Sequence, residues 1–291
     1  MLKIIARCSS KNFRNWKVVA QFDQSSVRFV INPLDSLETF LEMFEKRKPT
    51  DPIEIGKALV ADGFPLANLG ISVALEIVSP SKERFAAFTQ RGCHNECLAL
   101  ISGYWDATHD TNPASCAARE LLEEFLVYQN TRRVFLVPRG ITFPYKEESW
   151  KYSEKWKLSP RFEALQWVPS AKVKAVGDEC RVYIDATTSS AQVVYGYCAE
   201  FTTWRDLSIL HAEDRAEANG QLVTFIKHES IVLFRVIENQ LVGNPYWLTQ
   251  GQLVPVTLPN NAYFHPSMVG ANQLGIVSSD RIPLREVVRS M

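Results

Sequence analysis

Residues 103–126 run Gly-Tyr-Trp-Asp-Ala-Thr-His-Asp-Thr-Asn-Pro-Ala-Ser-Cys-Ala-Ala-Arg-Glu-Leu-Leu-Glu-Glu-Phe-Leu. They read as a polar loop passing into a short amphipathic helix. Asn112 is a favoured N-cap, because its side-chain oxygen can accept from backbone N–H groups that the first turn leaves unbonded. Pro113 follows where a missing N–H costs nothing and a fixed φ suits the helix. Ala118, Leu121, Leu122 and Phe125 recur at i, i+3, i+4 and i+7, which makes one apolar face. Arg119, Glu120, Glu123 and Glu124 fall on the other side, with Glu120 one helical turn from both later glutamates.

Three carboxylates on one patch repel by roughly 0.2–0.5 kcal/mol per pair. They also lie in the second half of the helix, where the dipole disfavours negative charge by ~0.3–1 kcal/mol. Arg119 offsets part of this through Glu123, in the weaker Arg-before-Glu order. A divalent cation would reverse the sign of the problem, since Mg2+ takes oxygen ligands from a few carboxylates and completes its shell with waters or phosphates. The same spacing also suits a solvated acidic face, and spacing alone leaves both readings open.

Arg119-Glu120-Leu121-Leu122-Glu123-Glu124 resembles the core of the Nudix box, Gly-x5-Glu-x7-Arg-Glu-U-x-Glu-Glu-x-Gly-U, where U is a bulky aliphatic residue. Thr111-Asn112-Pro113 and Ala117-Ala118 agree with its flanks. The early glutamate position is Thr111, the first glycine position is Trp105, and Leu126-Val127 stand where a glycine follows the acids. Gly103, out of strict register, stands in for the glycine turn.

The resemblance implies an α/β (α+β) fold, a Nudix-like α/β/α sandwich around a mixed β-sheet. It implies hydrolysis of a diphosphate bond in a nucleoside diphosphate derivative, with Mg2+ or Mn2+ as cofactor. Glu120, Glu123 and Glu124 would be metal ligands, Glu123 and Glu124 also catalytic, with Arg119 holding one of them in place. Arg91 would end the second strand of the domain and face substrate phosphates, or else is an ordinary exposed strand-end arginine. A loop glutamate would be the general base, with Glu213 and Glu217 as candidates and Glu229 more suited to capping the next helix. The box handles metal and diphosphate, so it does not name the leaving group. The rival is a Nudix-like domain without hydrolysis, acting as a nucleotide-binding or protein-interaction module, which Thr111, Trp105 and the missing glycine motivate. Against it, an inactive fold has little evident reason to keep three mutually repelling acids.

The remaining composition sets bounds. In 291 residues, 32 basic and 32 acidic side chains balance, so bulk attraction to nucleic acid or membrane is not indicated, although capped RNA stays within the substrate range. At 46 % hydrophobic and 22 % charged the chain can bury a sizeable core. No apolar run approaches the ~20 residues of a membrane helix. The start, Met-Leu-Lys-Ile-Ile-Ala-Arg-Cys, is too soon interrupted for a signal peptide. A cytoplasmic location with reduced thiols is therefore expected. Cys93 and Cys97 lack the second Cys/His pair that structural zinc needs. The five histidines do not cluster in sequence.

Along the chain, 1–66 is expected as a small α/β extension that shapes a pocket, makes a homodimer contact or covers a sheet edge. It holds a hairpin (16–22 with 27–31), a helix entered at Asp35 with Leu37, Phe40, Leu41 and Phe44 as its apolar face, and a second helix from Asp51-Pro52 to near Gly63. Residues 67–240 would form the Nudix-like domain. Ile71–Ile77 alternates as a half-buried strand, Arg84–Arg91 returns, and 98–101, 133–137, 192–201 and 222–227 are further strands. Leu207–Gly220 is expected as a polar loop and Ile231–Val236 as a helix. An insertion at about 141–180 mixes Trp150, Trp156 and Trp167 with both charges. Residues 241–291 would pack on this domain, with a last short helix at 267–271.

Overall fold

The computed structural model describes residues 2–7, 14–23, 26–31, 37–92, 94–107, 110, 112–130, 132–134, 156–160, 172–175, 178–216, 222–227, 229–265, 275–277 and 281–290. The class is mixed α+β, dominated by strands, with a large mixed sheet and few helices, as the sequence leads one to expect.

The central strand is Leu69–Val78. It runs parallel to Ser190–Phe201 on one side and is shared on the other. Its second half pairs antiparallel with Arg84–Arg91, and its first half with Ile101–Tyr104. All ten residues of this strand are buried, where alternation suggests only half would be. The reason is that both faces are covered. Ile71, Val73, Leu75 and Ile77 belong to a core shared with Leu121, Leu122, Phe125, Leu207 and Ile209. Ala74 looks the other way, toward Phe88, Phe234, Phe264 and Ile282, with Leu258 and Leu284 packed on them. Glu76 is fully buried and is matched by Arg84, whose Nε and Nη2 donate to its two oxygens at 2.5 and 2.9 Å.

Ile231–Ile237 is a strand beside Arg84–Arg91, not a helix. A short unbroken apolar run does not reveal its period. Here Ile231 and Leu233 face one core while Val232, Phe234 and Val236 face the other, an alternation that only a sheet covered on both faces can bury. Glu229 accordingly caps no helix; it is exposed in a left-handed turn at φ 54° before this strand.

A second sheet of five strands is antiparallel, in the order Leu2–Arg7, Leu222–Lys227, Leu207–Ala216, Phe125–Gln129, Arg132–Val134. The expected loop at 207–220 is therefore a strand as far as Ala216. A third sheet joins Ser26–Ile31, Val18–Asp23 and Phe64–Pro65, which includes the expected hairpin. Within the span read as an insertion, Trp156–Pro160 and Lys172–Ala175 pair with strands of the large sheet. The rest of 141–180 before residue 178, and the expected helix at 267–271, lie outside the described residues.

Three helices lead in chain order to the acidic segment. Helix α1, Phe40–Glu45, begins at Thr39 in a capping box with Glu42 rather than at Asp35. Its buried residue is Met43, whereas Phe40, Leu41 and Phe44, read as its inward face, are exposed. Helix α2, Pro52–Val60, starts on the Asp51 cap as expected. Helix α3, Pro113–Glu124, opens with Asn112 accepting from the Ser115 N–H at 2.9 Å and Ser115 Oγ accepting from the Asn112 N–H at 3.1 Å. It lies between the two larger sheets, touching Leu69–Val78 and Ile101–Tyr104 on one side and Phe125–Gln129 and Leu207–Ala216 on the other. Burying Leu121 and Leu122 there is worth about 1.5–3 kcal/mol each. At Phe125 the backbone is already extended (φ −96°, ψ 100°), so the chain leaves the helix directly into a strand and needs no glycine to end it. Among the described residues, no helix is long and apolar enough to cross a membrane.

Candidate functional site

Arg119 is the organising side chain. Its Nε and Nη2 donate to the two carboxylate oxygens of Asp110 at 2.9 Å each. Its Nη1 meets Glu120 at 2.8 Å and Glu123 at 3.1 Å, and Nη2 also donates to the Tyr104 carbonyl at 3.2 Å. One guanidinium thus serves three carboxylates. Burial works against its charge, but Glu120, Asp110 and Glu123 outweigh that and hold it firmly protonated. Asp110 was not visible in the box register, where strict counting puts Thr111 at the early acidic position. In space, the carboxylate that braces the arginine comes from one residue earlier. Asp110 is in turn fixed by its loop: its carboxylate accepts from the Asp106 N–H at 3.0 Å, and its own N–H donates to the Asp106 carbonyl at 2.8 Å. Trp105, in the position of the first glycine, is buried, and its indole donates to the Asp110 carbonyl at 3.4 Å.

Glu120 is seated on the backbone of Gly103. A Cβ at Gly103 would lie 1.9 Å from Glu120 Cδ and 2.1 Å from either oxygen, so no other residue leaves room for that carboxylate. The glycine outside strict register therefore does serve the acidic helix, through steric clearance. Burial, then the negative charges of Glu123, Glu124 and Asp110, push the Glu120 carboxyl up to about 8 despite the Arg119 guanidinium beside it.

Glu124 turns to the other side. Arg91 Nη2 stands 3.4 Å and His211 Nε2 3.5 Å from its Oε2. Arg91 sits at the end of Arg84–Arg91 as expected, with Nε donating to Thr89 Oγ1 at 3.2 Å. Arg91, Gly103, Arg119, Glu120, Glu123 and Glu124 therefore form one constellation. The proposed bases do not join it visibly. Glu213 lies within the strand Leu207–Ala216, paired with Phe225, rather than on a loop, and its side chain is outside what is described. Glu217 lies outside the described residues.

His211 is the residue that sequence reading missed. Leu207, Ile209 and His211 occupy alternate positions of one strand, and the first two belong to the main core. Pairing of His211 with Phe125 sets it beside the last residue of α3. The period-two row was a usable signal once this stretch is read as a strand. Cys116 is no nucleophile: burial, then the Glu120 charge, drives its thiol well above the ordinary range.

The acids have chemistry for a hard divalent ion, because all three offer carboxylate oxygen and Glu123 and Glu124 keep partial exposure (24 % and 18 %). They do not form a closed cage: among the described residues no three acidic, histidine or cysteine side chains stand at ligand spacing. Mg2+ needs no such cage when waters and substrate phosphates fill its shell, so the donor set fits.

No family model matches the sequence, and no curated protein matches it. Among solved structures, a MutT/nudix family protein from Enterococcus faecalis is similar over 63 % of this chain and 57 % of its own, at 12 % identity and a TM-score of 0.24. This chain thus spans less than two thirds of that protein's length, and a likeness of this degree carries no weight for fold or function.

Proposed function

We propose that the chain hydrolyses a diphosphate bond in a nucleoside diphosphate derivative with Mg2+ or Mn2+. The observation that supports this best is the placing of Glu120, Glu123 and Glu124 on one helix, with Gly103 beside Glu120 and Arg91 beside Glu124. Glu120, Glu123 and Glu124 would hold the ion, which when bound neutralises the diphosphate and lowers the pKa of an attacking water. Arg119, braced by Asp110, holds Glu120 and Glu123 in place. Arg91, 35 % exposed and already beside Glu124, is placed to meet a phosphate oxygen.

A second reading has its own observation. Arg119 contacts Asp110, Glu120 and Glu123, and Arg91 contacts Glu124. That supplies a structural reason for keeping the acids, which weakens the argument that only a metal could explain them. On this reading the domain binds a nucleotide or a protein without hydrolysis.

A phosphate-release screen with Mg2+ or Mn2+ separates the two. It covers nucleoside triphosphates, ADP-ribose, NAD(H), nucleotide sugars, dinucleoside polyphosphates and capped RNA, with Glu124→Gln as the blank. Turnover of one class, lost by orders of magnitude in Glu123→Gln and Glu124→Gln while the fold persists, supports hydrolysis. Silence across the panel, with no thermal shift at millimolar Mg2+, favours the binding module.

A further inference from the structure

The His211 imidazole is fully buried at the edge of the acidic patch. Among the described residues neither ring nitrogen has a hydrogen-bond partner. Buried polar side chains are otherwise nearly always bonded, so this one asks for an explanation. Its Nε2 faces Glu124 Oε2 at 3.5 Å, too loosely aligned to count as a hydrogen bond. Two donors each about 2.0–2.2 Å from one ion stand about 3.0–3.5 Å apart, depending on the angle between them. The observed separation is that of two neighbouring ligands. Strand pairing enforces it, since His211 lies opposite Phe125 and Glu124 is the last residue of α3. Arg91 approaches the same oxygen at 3.4 Å from a partly exposed position.

We propose that His211 is a nitrogen ligand of the cation held at Glu124, so that the centre selects a first-row transition dication over Mg2+. This rests on the cation site proposed above and adds a ligand to it. Carboxylate and water sites suit Mg2+, whereas imidazole favours transition ions, so one buried nitrogen shifts the preference. The chain brings this nitrogen from the second sheet, 87 residues after Glu124, so no local motif displays it.

The test is pulsed electron paramagnetic resonance of the full-length protein loaded with Mn2+, in unlabelled and [15N]histidine-labelled forms. Modulation from 14N, replaced by 15N on labelling and lost in both His211→Leu and His211→Gln, is the expected result. Mn2+ affinity should fall at least tenfold in these variants while Mg2+ affinity stays within about twofold. Two variants are used so that a fold defect in one does not decide the matter, and the labelled wild type reports on histidine ligation without any substitution. Mn2+ bound at Glu124 without nitrogen modulation overturns the His211 assignment and leaves the carboxylate site standing. Absence of Mn2+ binding, or Mn2+ binding that Glu124→Gln leaves unchanged, overturns the site itself.

Discussion

Gly103→Ala puts a methyl group where the Glu120 carboxylate already sits. The added Cβ would stand 1.9 Å from Cδ, far inside contact distance, so Glu120 must leave. Only the far end of the Glu120 side chain is struck, so its displacement costs about 1 kcal/mol, the low end for overpacking. Displacement also breaks the 2.8 Å contact with Arg119 Nη1, a charge-assisted bond worth about 1.5–3 kcal/mol. The two together predict a loss of about 2.5–4 kcal/mol. The backbone itself raises no objection, because Gly103 lies in the strand Ile101–Tyr104 and is absent from the positive-φ glycines. Alanine at an unstrained position gains about 0.4–1 kcal/mol by restricting the unfolded chain. The sign of the substitution therefore depends on Glu120. In a Glu120→Ala background Gly103→Ala should be neutral or stabilising, giving a coupling of about 3 kcal/mol in the double-mutant cycle. Urea unfolding reads this as shifts of midpoint at constant m. Equal costs in both backgrounds would refute the seating of Glu120 on Gly103, and with it the account of why a glycine stands there.

Asp110→Asn weakens the bidentate bond to Arg119, which keeps Glu120 and Glu123, and should cost about 1.5–3 kcal/mol; a loss under about 0.5 kcal/mol in urea unfolding, on the order of a neutral surface change, contradicts its bracing role. Arg84→Ala leaves Glu76 buried without its bidentate partner and should cost more, about 3–5 kcal/mol, with Arg84→Lys recovering only part. His265 has its imidazole pushed down to about 4, first by burial and then by Arg91. The unfolded chain therefore binds more protons than the folded one between pH 6.5 and 4. Stability is full above pH 6.5 and falls as pH drops through that window, by about 3 kcal/mol at most. His265→Gln should flatten this part of the pH–stability curve, and an unchanged curve would count against the shift.

The reach of sequence reading follows from the range of the forces involved. The sequence by itself determined α3 and its caps, because Asn112, Pro113 and the Leu121–Leu122 face act within a few residues. It also marked Leu69–Val78, Arg84–Arg91, Ser190–Phe201 and Leu222–Lys227, whose β-branched and aromatic residues need no distant partner to be seen. It named Arg119 and the three glutamates as a unit, since helical spacing alone brings them together. Tertiary structure decided what those residues meet. Ile231–Ile237 is a strand because the sheet beside it is covered on both faces, a fact recorded at Phe264 and Ile282 and not in the run itself. The same covering buries Ser72, Ala74 and Glu76, which alternation assigned to solvent. Phe40, Leu41 and Phe44 show the reverse: their spacing is that of an inward face, yet α1 turns Met43 inward instead. Asp110 replaced Thr111 because a loop is free to present either of two adjacent residues, and Arg119 selects by geometry rather than by count. Gly103 and His211 lie on strands that only hydrogen-bond register brings against α3, so their relation to Glu120 and Glu124 exists nowhere in the order of residues.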